Sequence, residues 1–462
     1  MSRIRVWFLP LLALCAASGC QSSGRASVSA DVEWNPSSRG SRNNLTHSAP
    51  PPVTVTLCAS GLPTEGMWKC DPTFADVNKD GFVDLAAIPR LGKGPRFWLG
   101  NGRGEWKESS SGLEYPSETT SCGGGLDLAD VNGDEKLDMV VADHCRGIQV
   151  YLGDGKGNWN NIVRDLYPSD IMVTETETDM YRGAEDLAAG DIDGDGFLDI
   201  VAGSSDNGGI NWYRGDGTGK NWTRQASSLP TSGWANRVLV QDINNDKFVD
   251  VVASFADGPR VWVNNGKGGL MEYNGGLPSP MIRGLYTGIA LGDANEDGRL
   301  DIAAANWVDG PEVYLQLEGG TWEKQPDVFT KMYGGSIGLA MGDIDADGHQ
   351  DIVVAGRLDD NAAGFVRGVF LLHGDGKGNF QYVANSGLPD TGLATTVGLA
   401  LADVNNDGTL DIAAGSGLIV ETNPRGPKAP SIESKLIMWC SHLPARGAAL
   451  TSDPMDGRNQ PR

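Results

Sequence analysis

The feature that most constrains this chain is a nine-residue acidic segment that occurs seven times. The copies are DVNKDGFVD at 76, DVNGDEKLD at 130, DIDGDGFLD at 191, DINNDKFVD at 242, DANEDGRLD at 293, DIDADGHQD at 343 and DVNNDGTLD at 403. Their starts fall 54, 61, 51, 51, 50 and 60 residues apart. A period of this size marks a chain built from supersecondary units, none of which buries its apolar face alone. Each segment follows small and apolar residues, as in GIALGD, and precedes a short apolar run such as IVVAG. Runs of that length bounded by glycine read as buried strands, so each segment joins one strand to the next. Farther along most units a second signal recurs, as in GNGRGEW, GDGKGNW and GDGKGNF. Its glycines supply the positive φ of a tight strand-to-strand turn.

Four strands per unit, repeated seven times, predict an all-β, seven-bladed β-propeller over residues 53–443. The last unit has strands on both sides of its acidic segment and a third at KLIMWC, but no fourth. The stretch VTVTLCASGL at 53–62 is expected to supply it, so that an N-terminal strand closes the last blade and two exposed edges disappear. The 64 glycines and 13 tryptophans suit many tight turns between short strands, and no helical heptad follows the first 20 residues.

The acidic segments place oxygen-bearing side chains at positions one, three, five and nine. In order these are Asp76, Asn78, Asp80 and Asp84; Asp130, Asn132, Asp134 and Asp138; Asp191, Asp193, Asp195 and Asp199; and Asp242, Asn244, Asp246 and Asp250. The last three sets are Asp293, Asn295, Asp297 and Asp301; Asp343, Asp345, Asp347 and Asp351; and Asp403, Asn405, Asp407 and Asp411. Turn propensity alone would accept Gly, Ser or Pro equally well, and 23 carboxylates among 28 positions repel one another without a cation. Calcium, a hard ion that takes six to eight oxygens, explains the pattern, giving up to seven structural Ca²⁺. An EF-hand needs a glutamate at position twelve, where Ala87, Val141, Ala202, Ala253, Ala304, Val354 and Ala414 stand. Position six is glycine in five loops, whereas Glu135 and Lys247 occupy it in loops two and four, which are therefore expected to be the weakest sites. A net charge of −23, with 60 acidic against 37 basic residues, argues against a nucleic-acid partner.

These units resemble FG-GAP or VCBS repeats. The resemblance implies calcium binding in a propeller like that of integrin α-subunits and bacterial surface proteins, in the role of adhesin, lectin-like module or accessory domain. Fold and metal follow from it; the biological role does not.

Arg3 and Arg5 precede an apolar run, VWFLPLLALCAA, that is too short for a permanent span and leads to ASGC. This reads as a lipoprotein signal over 1–19 with Cys20 as the lipidated residue, and Gln21 after it points to the outer membrane. Residues 20–52 read as a flexible tether and 444–462 as a disordered tail. In an oxidising compartment the flanks of loop two bring Cys122 near Cys145, and the closing blade brings Cys58 near Cys440, leaving Cys70 over. Arg214-Gly215-Asp216 lies in the recurring glycine turn and needs no recognition role.

Both loop families belong to one face, so the long insertions at 165–186, 357–367 and 417–435 belong to the other. Near that rim fall Trp68, Tyr181, Arg182, Trp234, Arg237, Arg283, Tyr286, Trp307, Asp309 and Tyr333. Aromatics beside charged groups suit a glycan or protein partner, although such rings also pack between blades. No nucleophile elbow or zinc signature is present. The expected function is that of an envelope-anchored, monomeric recognition module. The alternatives are a polysaccharide-acting enzyme such as a lyase, or a scaffold subunit of an envelope complex.

Overall fold

The computed structural model describes residues 53–68, 71–116, 120–166, 183–204, 208–278, 285–326, 336–360, 364–389, 395–418 and 435–443. The chain divides into two units, Met1–Ala49 and Pro50–Arg462, and every described residue belongs to the second. Among the described residues there are 28 strands and no helix. The expected signal segment, Cys20, the tether, Cys70 and the tail lie outside the described residues.

The first strand is β1 (Thr54–Leu57). Blade one is β2 (Thr73–Ala75), β3 (Asp84–Ala87), β4 (Arg96–Gly100) and β5 (Trp106–Glu108). Blade two is β6 (Leu126–Ala129), β7 (Asp138–Asp143), β8 (Gly147–Gly153) and β9 (Trp159–Leu166). Blade three is β10 (Ala184–Gly190), β11 (Asp199–Ser204), β12 (Ile210–Gly215) and β13 (Trp222–Arg224). Blade four is β14 (Ala235–Gln241), β15 (Asp250–Phe255), β16 (Gly258–Asn264) and β17 (Leu270–Glu272). Blade five is β18 (Tyr286–Gly292), β19 (Asp301–Asn306), β20 (Gly310–Leu317) and β21 (Thr321–Lys324). Blade six is β22 (Ser336–Gly342), β23 (Asp351–Asp360), β24 (Gly364–Gly374) and β25 (Phe380–Tyr382). Blade seven is β26 (Thr395–Ala402), β27 (Asp411–Leu418), β28 (Leu436–His442) and, paired to β28, β1.

Each sheet is a four-stranded antiparallel meander, and the first strands touch one another in ring order from β2 round to β26, which returns to β2. The protein is a seven-bladed β-propeller. Its last blade is closed as the sequence predicts, with Thr54 opposite His442 and Leu57 opposite Trp439. The Cys58–Cys440 disulfide fastens that closure and Cys122–Cys145 ties the flanks of blade two, with Cα–Cα distances of 5.7 and 5.6 Å.

Second strands such as β11, β15 and β19 are buried at every position, which is why they read as continuous apolar runs rather than alternating ones. The core lies between blades: Val201 and Trp212 of blade three pack with Val238, Val251 and Trp262 of blade four. A recurring Gly-Leu pair closes most units, and its glycine meets the next blade's outer strand. A Cβ on Gly61, Gly112 or Gly276 would lie 1.9, 1.7 or 2.0 Å from the carbonyl oxygen of Trp106, Trp159 or Trp322, and all three glycines have φ near +90°. The leucines that follow, Leu62, Leu113 and Leu277, are buried.

The insertion at 357–367 is not a free loop. It lengthens β23 and β24 into a hairpin in which Arg357 faces Arg367 and Asp360 faces Gly364, because the strand ladder simply continues. The other two insertions lie mostly outside the described residues, and 165–186 begins within β9 and ends within β10.

Candidate metal loops and channel mouth

All seven acidic loops share one backbone. Positions four and six both adopt left-handed φ, from Lys79 (57°) and Gly81 (88°) in loop one to Asn406 (56°) and Gly408 (87°) in loop seven. Glu135 (65°) and Lys247 (77°) adopt it as well, so the backbone overrides their side-chain cost. The position-one carboxylate accepts hydrogen bonds from the N–H groups of positions five and six. In loop three, Asp195 N and Gly196 N lie 3.1 and 2.9 Å from Asp191 oxygens, and in loop two Glu135 N lies 2.7 Å from Asp130 Oδ2.

The position-nine aspartates do more than offer an oxygen. Each begins a second strand and is buried, as for Asp84, Asp138 and Asp199 at 0% exposure. One carboxylate oxygen accepts the N–H of position two, and the other accepts an N–H at the end of the third strand. For Asp199 these donors are Ile192 at 3.1 Å and Gly215 at 2.9 Å. The same pair recurs in every blade, for example Ala294 and Gln316 on Asp301, or Val404 and Ser441 on Asp411. Burial pushes these carboxyls up, to about 6 for Asp84, Asp138, Asp199, Asp250 and Asp351 and to about 7 for Asp301 and Asp411, against the pull of their N–H donors. Position nine is therefore a buckle between loop and sheet as well as a ligand candidate.

The donor set fits a hard dication. In the two loops with aspartate at all four positions, oxygens of Asp191, Asp193 and Asp199, and of Asp343, Asp345 and Asp351, lie within 4.8 Å of one another. The glycine turns share this face: Gly268 N donates to Ile192 O and Gly378 N to Ala294 O, so each turn packs on the loop of the preceding blade. The Arg214-Gly215-Asp216 tripeptide is used internally, since Arg214 pairs with Asp193 and Asp195 at 2.6 Å each and Gly215 N serves Asp199.

A family model described as FG-GAP-like repeat matches residues 76–141, 130–202, 191–253, 242–304 and 293–354, more than half of the chain. The chain belongs to the FG-GAP-like repeat family. No curated protein sequence matches this FG-GAP-like chain. Among solved structures, a chain from crystals of BBS1N in complex with ARL6DN soaked with mercury aligns at 12% identity, covering 86% of this chain and 99% of that one, with a TM-score of 0.53. The lead-soaked form of that complex aligns at 13% identity over the same shares with a TM-score of 0.51. A lectin from Agrocybe aegerita, described as recognising non-reducing terminal N-acetylglucosamine, aligns at 17% identity over 71% of this chain and 84% of that one, with a TM-score of 0.45. The two BBS1N likenesses bear on fold alone.

The opposite face of this FG-GAP-like propeller carries a different arrangement. Arg237, on the first strand of blade four, pairs with Asp71 at the start of blade one and lies 3.4 Å from Asp186 on the first strand of blade three. Blades one and four are not neighbours, so the guanidinium spans the axis. Asp186 is pushed up to about 7 by burial, opposed by Arg237 and assisted by Asp71, and burial raises Asp71 as well. Beside them His144 Nδ1 lies 2.5 Å from Glu185 Oε2.

The rim residues named from sequence divide. Trp68 and Tyr286 are core residues, 3% and 2% exposed, with Trp68 against Trp98 and the Tyr286 hydroxyl donating to Glu312. Packing between blades consumes these rings, which therefore face no partner. Arg237 serves the axial cluster. Trp234 and Trp307 are half-buried and Asp309 is exposed, with Ala256 N donating to Trp234 O within blade four and Trp307 N donating to Leu285 O within blade five. Tyr181, Arg182, Arg283 and Tyr333 lie outside the described residues. Sequence reasoning missed Asp71, Glu185, Asp186 and His144. The adjacent acids in GAEDLAAG, inside an otherwise buried strand pattern, are the signal that could have found the middle two.

Proposed function

We propose that this chain is a calcium-stabilised recognition module, held at a bacterial envelope through a lipid on Cys20, that binds a glycan or protein on the face away from its acidic loops. The observation that carries the reading is the contrast between the faces. Seven loops repeat one backbone and one hydrogen-bond pattern, which suits a structural ion, whereas the opposite mouth is built from residues that occur once. Calcium would be held by positions one, three and five with the buckled position nine, where it neutralises clustered carboxylates and does no chemistry.

The test uses the full chain on a glycan panel and against envelope proteins, with calcium and with chelator. Calcium-dependent capture, lost on replacing Trp307 and Asp309 by Ala while thermal stability is kept, is the expected result. Absence of any calcium-dependent rise in melting temperature would overturn the metal reading.

The second reading, an enzyme acting on polysaccharide, draws on the axial cluster. There a carboxyl held up to about 7 stands beside a guanidinium, with an imidazole–carboxylate pair adjacent. Turnover of a polysaccharide panel that disappears in Asp186→Asn but survives Asp191→Asn would favour it over binding alone.

A further inference from the structure

The residue just before the third-strand N–H that serves the position-nine aspartate differs in kind from blade to blade. It is Leu99, Leu152, Val263 and Leu315 in blades one, two, four and five, and the half-cystine Cys440 in blade seven. None of these offers the loop a free donor. The two exceptions fall on the two loops with four aspartates. In blade three it is Arg214, whose guanidinium lies 2.6 Å from both Asp193 and Asp195. In blade six it is His373, whose Nδ1 lies 3.3 Å from Asp345 Oδ2 and 3.1 Å from Asp351 Oδ1, with Nε2 3.6 Å from Asp347 Oδ2. Asp345 is almost wholly buried there, its side chain 3% exposed, while the imidazole edge reaches solvent at 31%.

We propose that loop six is a mixed nitrogen–oxygen site for a zinc-class transition-metal dication, formed by His373 with Asp345 and Asp347, and distinct in metal preference from the all-oxygen loops. The proposal rests on the reading of the acidic loops as cation sites. Its geometry is that of a loose ligand cluster: one ring nitrogen of His373 and one oxygen each of Asp345 and Asp347 lie within 4.8 Å of one another, against about 3.4 Å for ligand atoms held about 2.1 Å from a tetrahedral ion. Its chemistry follows from the donor. Calcium takes oxygen ligands, whereas an imidazole nitrogen suits zinc, cobalt and nickel. Loop three has the same four aspartates but offers no nitrogen ligand, because the guanidinium of Arg214 stays protonated and cannot coordinate a metal. His349, also in loop six, points instead to Glu296 of loop five and is not part of the site.

The full chain, stripped with chelator and refilled with excess Ca²⁺, is titrated with Zn²⁺ by calorimetry and with Co²⁺ by visible absorption. The wild type is expected to take up one Zn²⁺ or Co²⁺ that calcium does not displace. His373→Leu places the residue of blades one, two and five in blade six, and should weaken that Zn²⁺ by at least about tenfold and abolish the Co²⁺ band. Stabilisation by Ca²⁺ should persist in the variant, and His349→Gln should behave as wild type. Any other thiol or imidazole site would appear equally in both proteins. Equal Zn²⁺ affinity in wild type and His373→Leu overturns the proposal. So does tighter Ca²⁺ in His373→Leu with no change in Zn²⁺, which would make His373 a tethered cation like Arg214. If calcium stabilises neither protein, the reading of the loops as cation sites fails with it.

Discussion

At the scale of single residues, the left-handed positions decide how well each loop is made. A Cβ at position six meets nothing within 4 Å at Gly81, Gly196, Gly298, Gly348 and Gly408, so glycine is there for its backbone and not for space. Glu135 and Lys247 are exposed, and their replacement by Gly should stabilise the protein by about 0.5–1 kcal/mol each in denaturant unfolding, relief of left-handed strain outweighing chain entropy. Unchanged or lower stability would show that those side chains make compensating contacts. Asp186 sets a pH dependence. Its ordinary value of 3.8 is raised to about 7 in the fold, so between those values the folded chain holds a proton that the unfolded chain has lost. Stability from this group therefore declines as pH rises from about 4 through about 7. In saturating calcium, Asp186→Asn should gain on the wild type with rising pH across that window and run parallel to it outside; a constant offset throughout would refute the shift.

At the scale of elements, the blades are held to each other by close backbone approach as much as by side-chain packing. Gly112 (φ +90°) would drive a Cβ to 1.7 Å from Trp159 O, whereas Gly196 (φ +87°) would meet nothing. Gly112→Ala should therefore cost about 2–3 kcal/mol and Gly196→Ala about 1 kcal/mol by equilibrium unfolding, because only the first adds overpacking to strain. Equal losses would place the whole effect in φ. Inter-blade hydrogen bonds from side chains add to this, as where Asn236 Nδ2 donates to Tyr286 O at 2.7 Å and Thr287 Oγ1 to Ile337 O at 2.6 Å. These donors sit at register shifts near the starts of β14 and β18, where a bulge turns a side chain toward the neighbouring blade.

At the scale of the whole molecule, a ring has one seam, and here it is β1 against β28. The Cys58–Cys440 bridge spans 382 residues and Cys122–Cys145 spans 23. Chain entropy makes the longer closure worth more, so the double Ser variant at Cys58 and Cys440 should lose about 2 kcal/mol more than that at Cys122 and Cys145 in denaturant unfolding. The reverse order would mean that the seam is held by strand pairing and Val55 N donating to Ser386 O rather than by the bridge.

The amino-acid sequence determined what is periodic: seven units, four strands in each, the acidic loops, the glycine turns and the strand that closes the ring. These are local rules of turn and strand, repeated until chance is excluded, and they need no knowledge of the neighbours. The axial cluster was not legible, because Asp71, Asp186 and Arg237 lie far apart in the chain and meet only where blades one, three and four converge. The burial of Trp68 and Tyr286 was equally hidden, since rings that pack between blades and rings offered to a partner look alike along a strand. Tertiary structure also separated two loops with the same four aspartates, one overhung by Arg214 and the other by His373. That difference resides in a third strand about twenty residues downstream, which only folding brings over the loop.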